Sequence, residues 1–306
     1  MEKETRVTLI VIAVVAVLLI GGYAGVKAYS GVSPPFTVVN SGSMMHSSDS
    51  KIGIIDTGDM ILVKDPNEVD IQTYVDGYKS GHKTFGEYGD VIVYKKPNQN
   101  IIHRAMLYLE LKESTSDYVK WYIPSLADYS RWEMSHGSTF VPDETLKSEC
   151  WNEETCELTI SKTNSDSFFW LTDVGYGSVN VPISLYNMGK GHSANYAGYL
   201  TKGDNASTNR SFDQASGIYE GKLVEKNNIK SVAMYEIPWI GSIKLLAKGN
   251  GSTVPSNTYT SLILTLLALI AFIVIVNVLI NCISKEIRIR KEREKKTISE
   301  EKKEED

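Results

Sequence analysis

Cysteine is scarce in this chain, with three in 306 residues. Cys150 and Cys156 stand in a C-x5-C spacing that is not a usual zinc pattern, and Cys282 closes an apolar run where an inert thiol is expected. An excess of positive charge is also lacking. With 32 basic against 37 acidic residues the formal charge is -5, so nothing points to nucleic acid as a partner. No internal repeat is evident beyond two similar strands, and no strong amphipathic helix stands out, which argues for an all-β body. There are only five histidines. His46, His82, His136 and His192 lie in polar stretches and read as surface residues, whereas His103 sits inside an apolar strand.

What the sequence does have is two long apolar runs. Residues 7–26 carry no charge, and at 1.5 Å rise per residue such a run crosses a bilayer as a helix. A retained anchor is expected because the run exceeds a signal-peptide core; a cleaved leader is the alternative, supported by Gly21, Gly22, Ala24 and Gly25. Residues 262–280 form the second run, within an expected span of 259–284. Lys285, Arg288, Arg290, Lys291 and Arg293 follow it directly, which places a charged tail, 285–306, in the cytoplasm. Lys3 and Arg6 place residues 1–6 there too, so that 27–258 faces outward. An oxidising exterior permits a Cys150–Cys156 disulfide, which is the expectation.

The outward segment reads as strands. Gly58-Asp59 and Gly89-Asp90 each feed an apolar strand that ends in lysine. A Lys-Pro-Asn turn then leads to Asn100-Ile101-Ile102-His103-Arg104, making a hairpin. A later strand carries Pro238, which suggests an edge or a bulge. Residues 112–200, rich in Ser, Thr, Tyr and Trp, read as an inserted lobe between two parts of the β body, 27–111 and 201–258.

The chemistry sits in Asn40-Ser41-Gly42-Ser43-Met44-Met45, just beyond the first span. A hydroxyl needs an adjacent base to become a nucleophile at neutral pH. Ser43 is the candidate nucleophile and His103 the candidate base, since imidazole titrates near neutrality. A carboxylate must then orient the imidazole, with Asp204 and Asp213 as candidates. The Ser43 backbone N–H and the Ser41 hydroxyl are candidate oxyanion donors. Taken singly, Ser43 and Asp204 are ordinary turn residues and a strand histidine is structural.

Together these blocks resemble the type I signal peptidases of the archaeal and endoplasmic-reticulum kind, which use histidine as base. Ser41-Gly42-Ser43-Met44 matches the nucleophile box, His103-Arg104 the base motif, and Lys202-Gly203-Asp204-Asn205 with Asp213 the acidic box, a match that implies the orienting role for Asp213 and a supporting one for Asp204 in its Gly-Asp-Asn turn. Three departures stand out: His46 where the family usually has proline, two aspartates set nine positions apart where relatives space them more closely, and the length of the 112–200 segment. The resemblance implies a signal-peptidase-like, β-rich catalytic domain with an inserted lobe, flanked by two transmembrane helices. It also implies a membrane-bound serine endopeptidase that removes signal peptides from exported preproteins and cuts after small residues. No metal or cofactor is expected, and the partners implied are preproteins, the lipid bilayer and the export translocon. The competing readings are a specialised peptidase for a few surface proteins and a non-catalytic anchored binding protein.

Overall fold

A computed structural model describes residues 3–304; residues 1–2 and 305–306, the extremities of the two expected cytoplasmic tails, lie outside the described residues. The strands in chain order are β1 Phe36–Val38, β2 Met60–Lys64, β3 Lys83–Thr84, β4 Glu87–Tyr88, β5 Val91–Lys96, β6 Gln99–Ser114 and β7 Tyr118–Tyr122. They continue as β8 Trp132–His136, β9 Trp151–Asn152, β10 Glu157–Ser161, β11 Ser167–Val174, β12 Val179–Ile183, β13 Ala197–Lys202 and β14 Ile229–Ile237. Among the described residues the α-helices are α1 Lys3–Ser30, α2 Tyr74–Ser80, α3 Glu144–Cys150, α4 Leu185–Gly189, α5 Gly241–Ala247 and α6 Ser256–Glu304. The chain is β-rich and divides into two units, 1–255 and 256–306.

The first unit is built on a nine-stranded sheet of order β1-β2-β14-β5-β6-β7-β10-β9, with β13 also paired to β6. Its pairs are antiparallel, as short connections between sequential strands allow. Strand β5 explains how two cores share one sheet. Alternate side chains of a strand point to opposite faces, so Val91 and Val93 join Ile61 and Met44 on one side while Ile92 and Tyr94 join Ala105 and Val232 on the other. The β5–β6 hairpin turns at Pro97 and Asn98, where proline pre-sets φ and Asn98 takes the left-handed φ of 68°.

Three expectations are corrected by this topology. The 112 boundary falls inside β6, and β7, β10 and β9 extend the main sheet; only β8, β11 and β12 form a sheet of their own, in the order β12-β11-β8. The apolar face of the main sheet runs straight through Leu107, Leu109 and Leu111 into this region, so one core serves both. Strand β14 is not an edge, since it lies between β2 and β5; the alternative, a bulge, is present, but within the strand at Ala233–Tyr235 and Ile229–Ser231 and not at Pro238, which follows its last residue. Cys150 and Cys156 are both free. The hairpin that pairs Trp151 with Leu158 leaves Cys150 at the buried end of α3 and Cys156 in a turn, at φ 54°.

Helix α2 went unread in the sequence although its signal is there. Thr73 and Asp76 form a reciprocal capping box, and Gly81 ends the helix in the left-handed region. Two helical segments are long and apolar enough to cross a membrane, Ala13–Ser30 and Ser256–Ile283. The end of α1 is tied to the sheet by Ser30, whose hydroxyl donates to the Val63 carbonyl at 2.6 Å and whose carbonyl accepts from the Asp65 N–H at 2.8 Å. In the second unit α6 runs unbroken from the apolar stretch into the charged tail.

Candidate active site

Ser43 lies in a single 3-10 turn, Gly42–Met44, that the core holds in place. Met44 is buried among Val39, Ile55 and Ile61, while Thr57 donates to the Met45 sulfur at 3.6 Å. With its neighbour anchored on the apolar side, Ser43 is left half-buried at the surface of a cleft of about 740 Å³ that His103 and Ser41 also line.

The Ser43 hydroxyl lies 2.9 Å from His103 Nε2, and His103 Nδ1 lies 2.8 Å from Asp213 Oδ2. His103 comes from the middle of the sheet, on β6, where it is only 3% exposed. Asp213 is fully buried and opens a 3-10 turn, Asp213–Ala215. Burial alone raises a carboxyl pKa, but here the His103 ring and the Tyr94 hydroxyl outweigh it and hold Asp213 below its ordinary value. Tyr94 donates to the same Oδ2 at 2.7 Å. An ionised carboxylate can only accept, so His103 carries its proton on Nδ1 and presents Nε2 as acceptor to the Ser43 O–H.

Asp204 does something else. Arg104, next to His103 on β6, points to the opposite face and binds both Asp204 oxygens, Nε to Oδ1 at 2.9 Å and Nη2 to Oδ2 at 2.5 Å. Burial raises the pKa of this carboxyl, yet Arg104 and His46 prevail and push it well below the usual carboxylate range. Arg104 Nη1 also donates to the Gly89 carbonyl at 2.7 Å, locking the turn before β5. Lys202 is buried beside these groups; its Nζ donates to the Gly203 carbonyl at 2.8 Å, and burial lowers its pKa against the pull of Asp204 and Asp213.

The nucleophile turn is clamped from the loop after β13. The Asn205 N–H donates to the Ser43 carbonyl at 2.9 Å, its side-chain amide to the Gly42 carbonyl at 2.7 Å, and the Asn209 amide to the Ser43 carbonyl at 3.3 Å. A Cβ on Gly203 would stand 2.5 Å from that same Ser43 oxygen, so only glycine fits. The sequence gives no sign of these clamps: both asparagines sit in N-x-Ser triplets, a short pattern that by itself fits a glycosylation acceptor. Tyr94 left a fainter trace: a tyrosine in an apolar strand must find a partner for its hydroxyl.

Of the predicted site residues, Ser43, His103 and Asp213 are thus in one hydrogen-bonded series. Ser41 adjoins it, its hydroxyl 3.3 Å from that of Ser43. Asp204 is kept from the imidazole by its pairing with Arg104. His46, read as a surface residue, is 7% exposed at its side chain, with Nε2 3.6 Å from Asp204 Oδ2. Lys64, at the end of β2, pairs with Glu68 at 3.7 Å. No group of three or more potential metal ligands occurs among the described residues. No family model matches the chain, and no curated protein or solved structure matches it either.

Proposed function

We propose that the protein is a membrane-anchored serine endopeptidase of the type I signal-peptidase kind, removing signal peptides from exported preproteins. The hydrogen-bonded order Ser43–His103–Asp213, at 2.9 and 2.8 Å, is the observation that carries this reading. In it Ser43 Oγ attacks the carbonyl carbon before the cut while Nε2 takes the hydroxyl proton. The carbon–nitrogen bond then breaks, and the imidazolium returns the proton to the leaving amine. Water, deprotonated by the same nitrogen, releases the acyl group as a carboxylate and restores Ser43. Asp213, held ionised, stabilises the imidazolium and keeps the ring from flipping, with Tyr94 fixing the carboxylate in turn. In this reading the Ser43 N–H and the Ser41 hydroxyl donate to the oxyanion.

Two apolar helices suit a substrate whose own apolar segment arrives in the bilayer. The cleft edge is β1, the terminal strand of the sheet, whose free backbone groups can take an extended peptide as an added strand. Incubating a model preprotein with membranes carrying wild type, Ser43→Ala or His103→Ala tests the reading. Cleavage is expected from wild type alone, and equal cleavage by either variant would overturn it.

A further inference from the structure

A second cleft, of about 630 Å³, opens on the far side of the nucleophile turn, and nothing in the mechanism above uses it. Its walls come from three separated parts of the chain: Met45 to Ser48, just past the nucleophile turn; Tyr176 and Gly177, in the turn between β11 and β12; and Thr253 to Pro255. The rings of His46 and Tyr176 stack at 4.7 Å with 9° between their planes. Asn205 and Ala206 form the floor.

This arrangement is held firmly. Gly175, Gly177 and Ser178 all take positive φ, which folds the turn tightly and thrusts Tyr176 outward, where it stays 47% exposed. The Gly175 N–H donates to the Tyr74 hydroxyl at 3.0 Å, and a Cβ on Gly177 would lie 3.1 Å from that of Ala206. The turn of the three-stranded sheet therefore rests on the loop that clamps Ser43. The loop that lines the second cleft also holds the nucleophile turn of the first, since Asn205 donates to the Ser43 and Gly42 carbonyls.

A peptide lying along β1 with its cut bond at Ser43 has to continue past this turn. His46 lies three positions beyond Ser43, at most about 10 Å along the chain. An extended peptide advances about 3.3 Å per residue, so the second to fourth residues after the cut reach the stacked pair. No lysine, arginine, aspartate or glutamate lines the cleft. It is therefore an unfavourable place for a charged side chain and a good one for an uncharged side chain lying against the Tyr176 ring.

We infer that this cleft receives the start of the mature protein, and that Tyr176 selects uncharged residues there. The inference rests on the peptidase reading and gives the three-stranded sheet a part in choosing substrates. It is tested with the full chain in detergent and peptides identical up to the cut that carry leucine, aspartate or lysine at the third position after it. Wild type is expected to favour leucine by about tenfold in kcat/KM, the scale of one side chain in an apolar pocket. Tyr176→Ala should bring that ratio within about twofold, and Tyr176→Phe, which keeps the ring, should retain it. Ser43-dependent cleavage that ignores the third position, or a preference that survives Tyr176→Ala, overturns the inference and leaves the peptidase reading standing. Absence of Ser43-dependent cleavage of every peptide overturns both.

Discussion

Arg104 holds Asp204 through two parallel N–H donors, one residue along β6 from His103. Because neighbouring strand residues face opposite ways, one dipeptide reaches two different aspartates. His103 meets Asp213 on one face, and Arg104 meets Asp204 on the other. The two acidic residues thus have separate duties, one beside the imidazole and one beneath the loop that grips Ser43.

Separate duties make separable variants. Asp213→Asn keeps the volume but reverses the hydrogen-bond logic at Nδ1, and by analogy with serine proteases turnover should fall about 10⁴-fold with little change in melting temperature. Asp204→Ala leaves the Arg104 guanidinium buried without its partner, and breaking such a pair costs about 3–5 kcal/mol. Melting curves and turnover measured on both variants check this. Equal melting temperatures for the two would contradict it.

Gly203→Ala probes the clamp. The added methyl meets the Ser43 carbonyl at 2.5 Å, with the Asn209 amide carbon at 2.8 Å, so the nucleophile turn has to shift. Overpacking of this kind costs about 1–3 kcal/mol. A displacement of about 1 Å at a reacting group can lower the rate about 100-fold. Wild-type turnover in this variant would show that the turn does not depend on the loop.

Stability should fall as the medium passes from mildly acidic to mildly alkaline. Asp56, Asp59 and Glu236 stand close together: Asp59 accepts from the Asp56 N–H at 2.8 Å and the Trp239 N–H at 2.9 Å, and Glu236 accepts from the Gly53 N–H. Burial pushes Asp59 up to about 6 and Glu236 up to about 7. Carboxyls raised on folding hold their protons more tightly in the native state. Their contribution is therefore full below about pH 4 and is lost as the pH rises through 6 to 7. Asp213 and Asp204 are lowered on folding, so theirs is lost in the opposite direction, as the pH drops below about 4. Glu236→Gln keeps the oxygen that accepts from Gly53 and removes the titration. Solvent screening trims the effect of its shift to about 1 kcal/mol between pH 5 and 8. The gap between the denaturation midpoints at the two pH values should narrow in the variant, with Asp59 still supplying the remainder; the same drop in both proteins would refute the assignment.

Topology is checked independently of catalysis. The basic cluster from Lys285 onward predicts a cytoplasmic tail. Protease added outside intact cells should cut within 27–258 and spare an epitope placed on the tail. Loss of that epitope would invert the orientation.

The local plan of this protein was legible in its sequence. The two apolar runs, the Gly-Asp turns before β2 and β5, the β5–β6 hairpin and the isolation of His103 in an apolar strand all follow from residues a few positions apart, where strand alternation and turn chemistry act. Ser43 could be singled out as a candidate nucleophile from its neighbours and its place after the first apolar run. What the sequence could not decide is pairing across long separations. Asp213 lies 110 residues from His103, and its arrival depends on the path of the 203–212 loop and on the bulge between Leu200 and Thr201. The burial of His46 under Tyr176, the two asparagine clamps and the parting of Cys150 from Cys156 are likewise set by which surfaces the packed sheets bring together. Periodicity tells a side chain which face to take; only the closed core determines what it meets there.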